Sequence, residues 1–432
     1  ERWGDPRSSR SLRLGPPPGA TAPLRRSGAV RGSWARDQAS RARASLGLLA
    51  VTWTDGASAL DRPLPPEREA ELVRARELAE AHPRLDHLLV PGGPEALPYA
   101  ELVGDPLSGP LTDEPAPALV TSLRDRARLA EAGADHLTGH GARHVLDGHP
   151  ARMADLLTAR QRGSLVRPVT ALVRTSGAPV SLLRAARQLA RGSYAEGLED
   201  AATRLVAGPV PATTDALVHC APGPAASWLT QEACAAVAVR LRLAARRPAP
   251  GERPGARRAR LALERKAAEL RVLAQVVESA DTAHGQRLHA PFLDNQVIRA
   301  CRQVPDAART QPGARREILR AVLAGAGVPE GPADATPSPP PGPGPSATVG
   351  LTAAARGVES LFTAPVLGEL GLLDVERFRA ALAGHATMSP AGQEAVAQVV
   401  ATELWLRRLR SRRGTSWQGL PPAPRPEVAA AP

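Results

Sequence analysis

His289-Ala290-Pro291-Phe292-Leu293-Asp294-Asn295 is the most specific stretch of this 432-residue chain. A proline and two large apolar residues lead into Asp294, whose side chain suits the open N–H groups at the start of a helix, and a helical run containing Val297 follows. Asp294 therefore reads as a helix cap rather than as a reacting group.

Composition bounds what surrounds this stretch. An apolar share of 43% supports a sizeable core, and the length allows about two domains. Aromatic residues make up only 3%, so the core must rest on Leu, Val and Ala, and 44 Pro with 38 Gly predict poorly packed stretches. Lys266 is the only lysine. The net charge of +12 is concentrated: residues 1–44 hold ten Arg against Glu1, Asp5 and Asp37, and Arg240 to Arg260 holds eight against Glu252. Such runs are usually solvated or disordered and less often nucleic-acid footprints, so nucleic acid is not the expected partner. Cys220, Cys234 and Cys301 are odd in number and lack metal-ligand spacing, which predicts reduced thiols in a cytoplasmic protein and no zinc module. No run reaches the ~20 apolar residues of a spanning helix, so a soluble chain with no membrane partner is expected.

Periodic structure begins at Leu46, with a buried-strand pattern to Thr54, a helix over Glu67 to Ala81 and a second strand over Leu85 to Val90. Strand, helix, strand predicts a βαβ unit and a parallel sheet. A helix over Leu119 to Ala132 and a strand over Asp135 to Thr138 come next, and the strand ends in the turn Gly139-His140-Gly141. Ligand sites of open α/β sheets lie at such strand ends. From Val180 onward the pattern is helical, with candidates at 180–206, 228–246, 262–280, 313–325, 352–370 and 391–410. The division expected is a basic disordered segment over 1–45, one domain over 46–410 broken by a Pro-rich flexible loop at 331–350, and a disordered tail over 411–432.

The string Arg287-Leu-His-Ala-Pro-Phe-Leu-Asp-Asn295 resembles the signature of asparagine synthetase-type amide ligases, carried by Pro291, Phe292, Leu293 and Asp294. Further segments resemble the family in order: Leu137-Thr-Gly-His-Gly141 its glycine-rich acidic loop, and Arg316-Glu-Ile-Leu-Arg-Ala321 its lysine-bearing helix. Glu403-Leu-Trp-Leu-Arg407 is similar to the C-terminal helix of actinobacterial lasso-peptide macrolactam cyclases, the members this chain most resembles. Val51-Thr-Trp-Thr-Asp55, Thr112-Asp-Glu-Pro115 and Trp228-Leu-Thr230 add to that likeness.

The resemblance implies an α/β fold, a PP-loop ATP pyrophosphatase-like parallel sheet with a helical C-terminal half. It also implies ATP and Mg2+ as cofactors: ATP adenylates a carboxylate, pyrophosphate leaves and an amine attacks. In a cyclase the carboxylate is a side chain of a precursor peptide and the amine its N-terminus, so the precursor peptide and leader-binding or protease proteins of the same pathway are the implied partners. Val51, Thr52, Thr54, Thr138, Gly139 and Gly141 match the nucleotide site. His140 matches a catalytic tyrosine of β-lactam synthetases and is a candidate base near neutral pH. Arg316 stands at the lysine position and keeps its charge for phosphate oxygens. A zinc face of His136, His140 and His144 would need one continuous helix, which the strand and turn interrupt. Asp113 and Glu114, beside Pro115, read as a loop turn.

Three departures stand out. No Ser-Gly-Gly-x-Asp-Ser phosphate loop occurs in residues 1–45, Arg143 occupies the second Mg2+ ligand position, and the Thr-Lys-Gly segment expected downstream is replaced by the Pro-rich stretch 337–345. No metal ligand is therefore assigned. The family's glutamine-hydrolysing domain is not matched either, so glutamine-derived ammonia is not expected. A truncation or changed reading frame upstream of Leu46 would account for the missing loop and the unlike first 44 residues. The rival to a ligase is a catalytically silent pseudoenzyme or scaffold that holds precursor peptide or pathway proteins.

Overall fold

A computed structural model of the chain describes residues 10–14, 48–53, 66–82, 84–90, 92–93, 96–130, 135–159, 163, 170, 179–208, 215–249, 251–278, 286–326 and 345–412. Five strands form one sheet: β1 Arg10–Leu14, β2 Leu48–Trp53, β3 Leu85–Val90, β4 Asp135–Thr138 and β5 Arg287–His289, in the order β3-β2-β1-β4-β5. β2 pairs parallel with β3 across the helix α1 (Pro66–Ala81), as the βαβ reading requires, and β4 pairs parallel with β5. The expected all-parallel sheet is corrected at its centre, where β1 runs antiparallel to both neighbours. Without it the inner edges of β2 and β4 would leave rows of N–H and C=O groups unpaired; β1 sets five residues opposite β2 and three opposite β4. The strand comes from the segment expected to be disordered, whose other residues lie outside the described ones.

The remaining elements are helical. They are α2 Ser122–Ala130, α3 Ala142–Leu146, α4 Arg152–Thr158, α5 Pro179–Arg191, α6 Tyr194–Ala207, α7 Gln231–Ala245 and α8 Pro254–Glu278. After β5 come α9 Asn295–Gln303, α10 Asp306–Arg309, α11 Ala314–Gly325, α12 Pro345–Ala353, α13 Ala355–Leu361, α14 Val366–Glu369, α15 Val375–Ala383 and α16 Pro390–Ser411. The single helix expected over 180–206 is two, because Ser193 accepts from the Glu196 N–H while the Glu196 side chain accepts from the Ser193 N–H, a capping box that starts α6 afresh. The helix expected from 119 begins as a 3-10 turn over Pro117–Leu119. The one expected at 352–370 divides into α13 and α14, preceded by α12.

That α12 corrects the flexible loop at 331–350: residues 345–350 are helical, and 327–344 lie outside the described residues. Proline suits a first helical position, where its missing N–H costs nothing. Gly350 lets the helix lie against the chain, since a Cβ there would come 2.4 Å from the Pro98 carbonyl oxygen. The basic run Arg240 to Arg260 is likewise more than a solvated face. Arg257 is buried, stacks 3.8 Å from the Tyr194 ring and bonds His219 Nδ1 at 2.8 Å, while Arg258 donates to the Asp215 carbonyl at 3.1 Å.

The largest core lies among the C-terminal helices, not on the sheet. It packs Leu119, Val272, Val276, Leu351, Val358, Val396, Val400 and Leu404 around Trp228, Phe362 and Phe378. Phe378 meets Phe362 at 4.5 Å and Trp228 at 5.1 Å between ring centroids, so these three rings form one aromatic cluster inside the core. A smaller cluster, Leu49, Val51, Trp53 and Leu88, covers one face of β2 and β3.

Candidate active site

β2, β3, β4 and β5 all point one way, so Trp53, Val90, Thr138 and His289 end at the same edge of the sheet. Beyond β4 the chain turns through Gly139, His140 and Gly141 into α3. Gly141 holds φ 83°, the left-handed region that glycine enters without steric cost. A Cβ there would also lie 2.3 Å from Leu293 Cδ2. The glycine turn and the Pro291–Asp294 stretch thus touch through an atom that glycine lacks.

Pro291–Leu293 forms a 3-10 turn, and Asp294 caps α9 as its sequence position implied, its Oδ1 accepting from the Gln296 N–H at 2.7 Å. Phe292, Val297 and Ile298 pack against Ala142, Val145, Leu146 and Cys301, and Ile318 with Leu319 from α11 joins the same cluster. Asp147, just past α3, accepts from the Arg315 N–H at 3.2 Å and so fastens α11 in place. Three segments far apart in the sequence, carrying His140, Pro291 to Asp294 and Arg316, therefore meet on one short helix. Arg316 itself is half-buried.

His140 Nδ1 shares a 2.6 Å hydrogen bond with Thr138 Oγ1. Burial, helped by the Lys266 charge, pushes its pKa down to about 4, and the same two causes bring His144 to about 4. The base expected near neutral pH is instead an imidazole that stays neutral over the physiological range. Lys266, the lone lysine, sits on α8 paired with Glu269. Across the edge, Asp135 accepts from His289 Nε2 at 2.9 Å and lies 3.3 Å from Arg287 Nε; the His289 bond, aided by the Arg287 charge, holds its carboxyl below the usual range. The sequence gives Lys266 no role in a site and does not point to this cluster. The lysine's rarity was a visible signal, whereas nothing in the linear order joins Asp135 to His289.

The nucleotide candidates are less closely grouped. Val51 is fully buried among Leu49, Trp53 and Leu88, and its strand is paired on both sides, with Ser11 and Leu88 opposite it, so neither its side chain nor its main chain is open to a ligand. Thr52 Oγ1 is bonded to His87 Nε2 at 3.0 Å, and Thr54 lies outside the described residues. In the register Arg10 stands opposite Thr52 and Ser11 opposite Thr138. The two threonines are thus separated by β1, about 10 Å at the usual strand spacing. Thr138, Gly139 and Gly141 are brought together with His140; Val51 and Thr52 share only the edge.

Mg2+ does not fit the described residues. Arg143 stands where a carboxylate would be required, the Asp147 carboxylate is committed to α11, and no group of three or more His, Cys, Asp or Glu among the described residues could hold a metal ion. His136 is fully buried and bonded to Gln286, while His140 turns to Thr138, so the three-histidine face does not form. Asp113 and Glu114 tie their loop to α8, the Asp113 N–H donating to Gln275 Oε1 at 3.1 Å and Glu114 pairing with Arg271 at 3.3 Å.

Together the mixed sheet and the helices that follow it define an α/β protein, and the motifs gathered between β4, β5 and α11 mark its candidate site. The Asparagine synthase family model matches residues 30–407, and the chain belongs to that family. No curated protein and no solved structure matches it. No helix among the described residues is long and apolar enough to cross a membrane.

Proposed function

We propose that this chain is a lasso-peptide cyclase-like member of its family, in which a side-chain carboxylate of a precursor peptide is adenylated by ATP and then attacked by the peptide's N-terminal amine. The observation that carries this is the convergence on α3 of the glycine turn, the Pro291 to Asp294 stretch and the Arg316 helix, with Gly141 in contact with Leu293. In that site the Gly139 to Gly141 backbone would face the nucleotide, with the PP-loop-like sheet as its platform. Arg316 would lie near phosphate oxygens, and neutral His140 would act as a hydrogen-bonding group beside the amine rather than as a strong base. Mg2+ would supply charge neutralisation at the phosphates, but the described residues offer no site for it and no step is routed through it. The proposed partners are the precursor peptide and leader-binding or protease proteins of its pathway.

Arg143 favours a second reading, a silent scaffold that holds the peptide. A fixed cation without a lone pair cannot replace a metal ligand. Pyrophosphate release with ATP, Mg2+ and a candidate precursor peptide separates the two. The ligase reading expects peptide-dependent release that rises at least about tenfold in Arg143→Asp, equivalent to about 1.4 kcal/mol of barrier. Peptide binding without ATP binding in either form establishes the scaffold instead.

A further inference from the structure

A pocket opens beside α3 and adjoins the cluster where the motifs meet, sharing Val145, Leu263 and Ile298 with it. It is a cavity of about 310 Å³ enclosed by α3, α4, α8, α9 and α10, with His144 and Val145 on one wall and Arg152, Arg260, Arg302 and Arg309 among its lining residues. Glu252 and Asp306 are the acidic groups that line it.

These charges are unequally compensated. Arg152 is paired with Asp155 at 3.4 Å and Asp306 at 2.9 Å, and Arg260 with Glu252 at 3.1 Å and Glu264 at 2.7 Å. Arg309 is only 6% exposed, yet its one hydrogen bond is from Nη2 to the Val145 carbonyl at 2.7 Å, and its Nε is buried without a partner. Among the described residues no carboxylate forms an ion pair with Arg309 or with Arg302, an exposed residue at the end of α9. Asp306 reaches Arg309 only through space because its carboxylate is paired with Arg152, and a buried guanidinium so incompletely countered is costly to keep and is relieved by an anion. Nearby His144, held neutral, adds no charge of its own.

We propose that this cavity is a binding site for a phosphoryl dianion, either free or at the end of a nucleotide, held by Arg309 from the floor and Arg302 from the rim. Two guanidinium groups that make no ion pair among the described residues match a charge of about −2, and their planar forks suit the oxygens of phosphate better than a point charge would. The site is independent of the ligase reading because it requires binding only.

The test is calorimetric titration of the full chain with inorganic pyrophosphate, ATP and succinate at fixed low ionic strength. Pyrophosphate binding that weakens about tenfold in Arg302→Gln, the loss of about 1.4 kcal/mol, while Arg377→Gln leaves it unchanged, supports the site. ATP that displaces pyrophosphate in the wild type but not in Arg302→Gln identifies a nucleotide as the source; ATP without effect identifies the free anion. Arg302 is exposed, so its loss leaves the fold intact, whereas Arg309→Gln is interpreted only where its circular dichroism matches the wild type. Equal binding by wild type and Arg302→Gln, no binding at millimolar pyrophosphate, or succinate binding as tightly as pyrophosphate each overturns the proposal.

Discussion

Gly141 joins two motifs through an absent methyl group. Substituting alanine would place a Cβ 2.3 Å from Leu293 Cδ2 and force a side-chain-bearing residue to keep φ 83°. The left-handed backbone costs about 1–2 kcal/mol and the overpacking about 1–3 kcal/mol, so Gly141→Ala should destabilise the chain by about 2–5 kcal/mol. Urea unfolding at constant slope measures this. Trimming the neighbour relieves the clash but not the backbone strain. Leu293→Ala combined with Gly141→Ala should therefore show a favourable coupling of about 1 kcal/mol in a double-mutant cycle, and additive effects would show that the two residues do not touch.

At the scale of elements, α16 fastens the C-terminal helices together and explains the Glu403-Leu-Trp-Leu-Arg407 likeness without any chemistry. Glu403 is fully buried and its two oxygens accept from the Val366 and Leu367 N–H groups at 2.8 and 3.0 Å, satisfying the open start of α14. Arg407 closes on the same carboxylate at 2.7 Å, and Trp405 Nε1 donates to the Thr112 carbonyl at 2.7 Å. Arg408, also fully buried, bonds Glu101 at 3.0 Å and the Pro106 carbonyl at 2.9 Å. The Thr112 to Pro115 and Glu403 to Arg407 segments therefore belong to one scaffold. Removing Glu403 strands two buried N–H groups and takes the counter-charge from Arg407, which keeps its bonds to the Leu361 and Ala364 carbonyls, so Glu403→Ala should cost about 3–5 kcal/mol, and Glu403→Gln, which keeps an acceptor, clearly less. Thermal melts of both variants decide this: equal losses would mean that the charge, not the capping, matters.

Across the whole molecule, buried histidines tie stability to pH. His140, His144 and His149 are each brought down from 6.5 to about 4, in every case chiefly by burial. Below pH 6.5 the unfolded chain takes up protons that the folded chain refuses, so stability should be level above that pH and fall on acidification towards pH 4. The steepest slope is about 1.4 kcal/mol per pH unit for each histidine. Urea midpoints between pH 7.5 and 5 test this before most carboxylates titrate. A flat profile in the wild type contradicts the burial of these rings, whereas His149→Asn should reduce the slope by about one proton.

The linear sequence by itself determined the local elements of this protein. β3, β4, the βαβ pairing and most C-terminal helices follow from short-range periodicity, and Asp294 is a cap because capping spans only two residues. The motifs were legible as well, in order and type. Only the tertiary structure decided which of them meet: the Gly141 to Leu293 contact spans about half the domain and leaves no trace in local pattern. Long-range pairing likewise put the Arg10–Leu14 strand in the centre of the sheet, where unpaired backbone groups on both sides favour any strand that can bond to them. Burial, which no single residue encodes, turned His140 from a base near neutrality into a neutral group and left Arg309 in a cavity without a carboxylate partner. Desolvation depends on everything packed around a side chain, and that is settled only when the chain has folded.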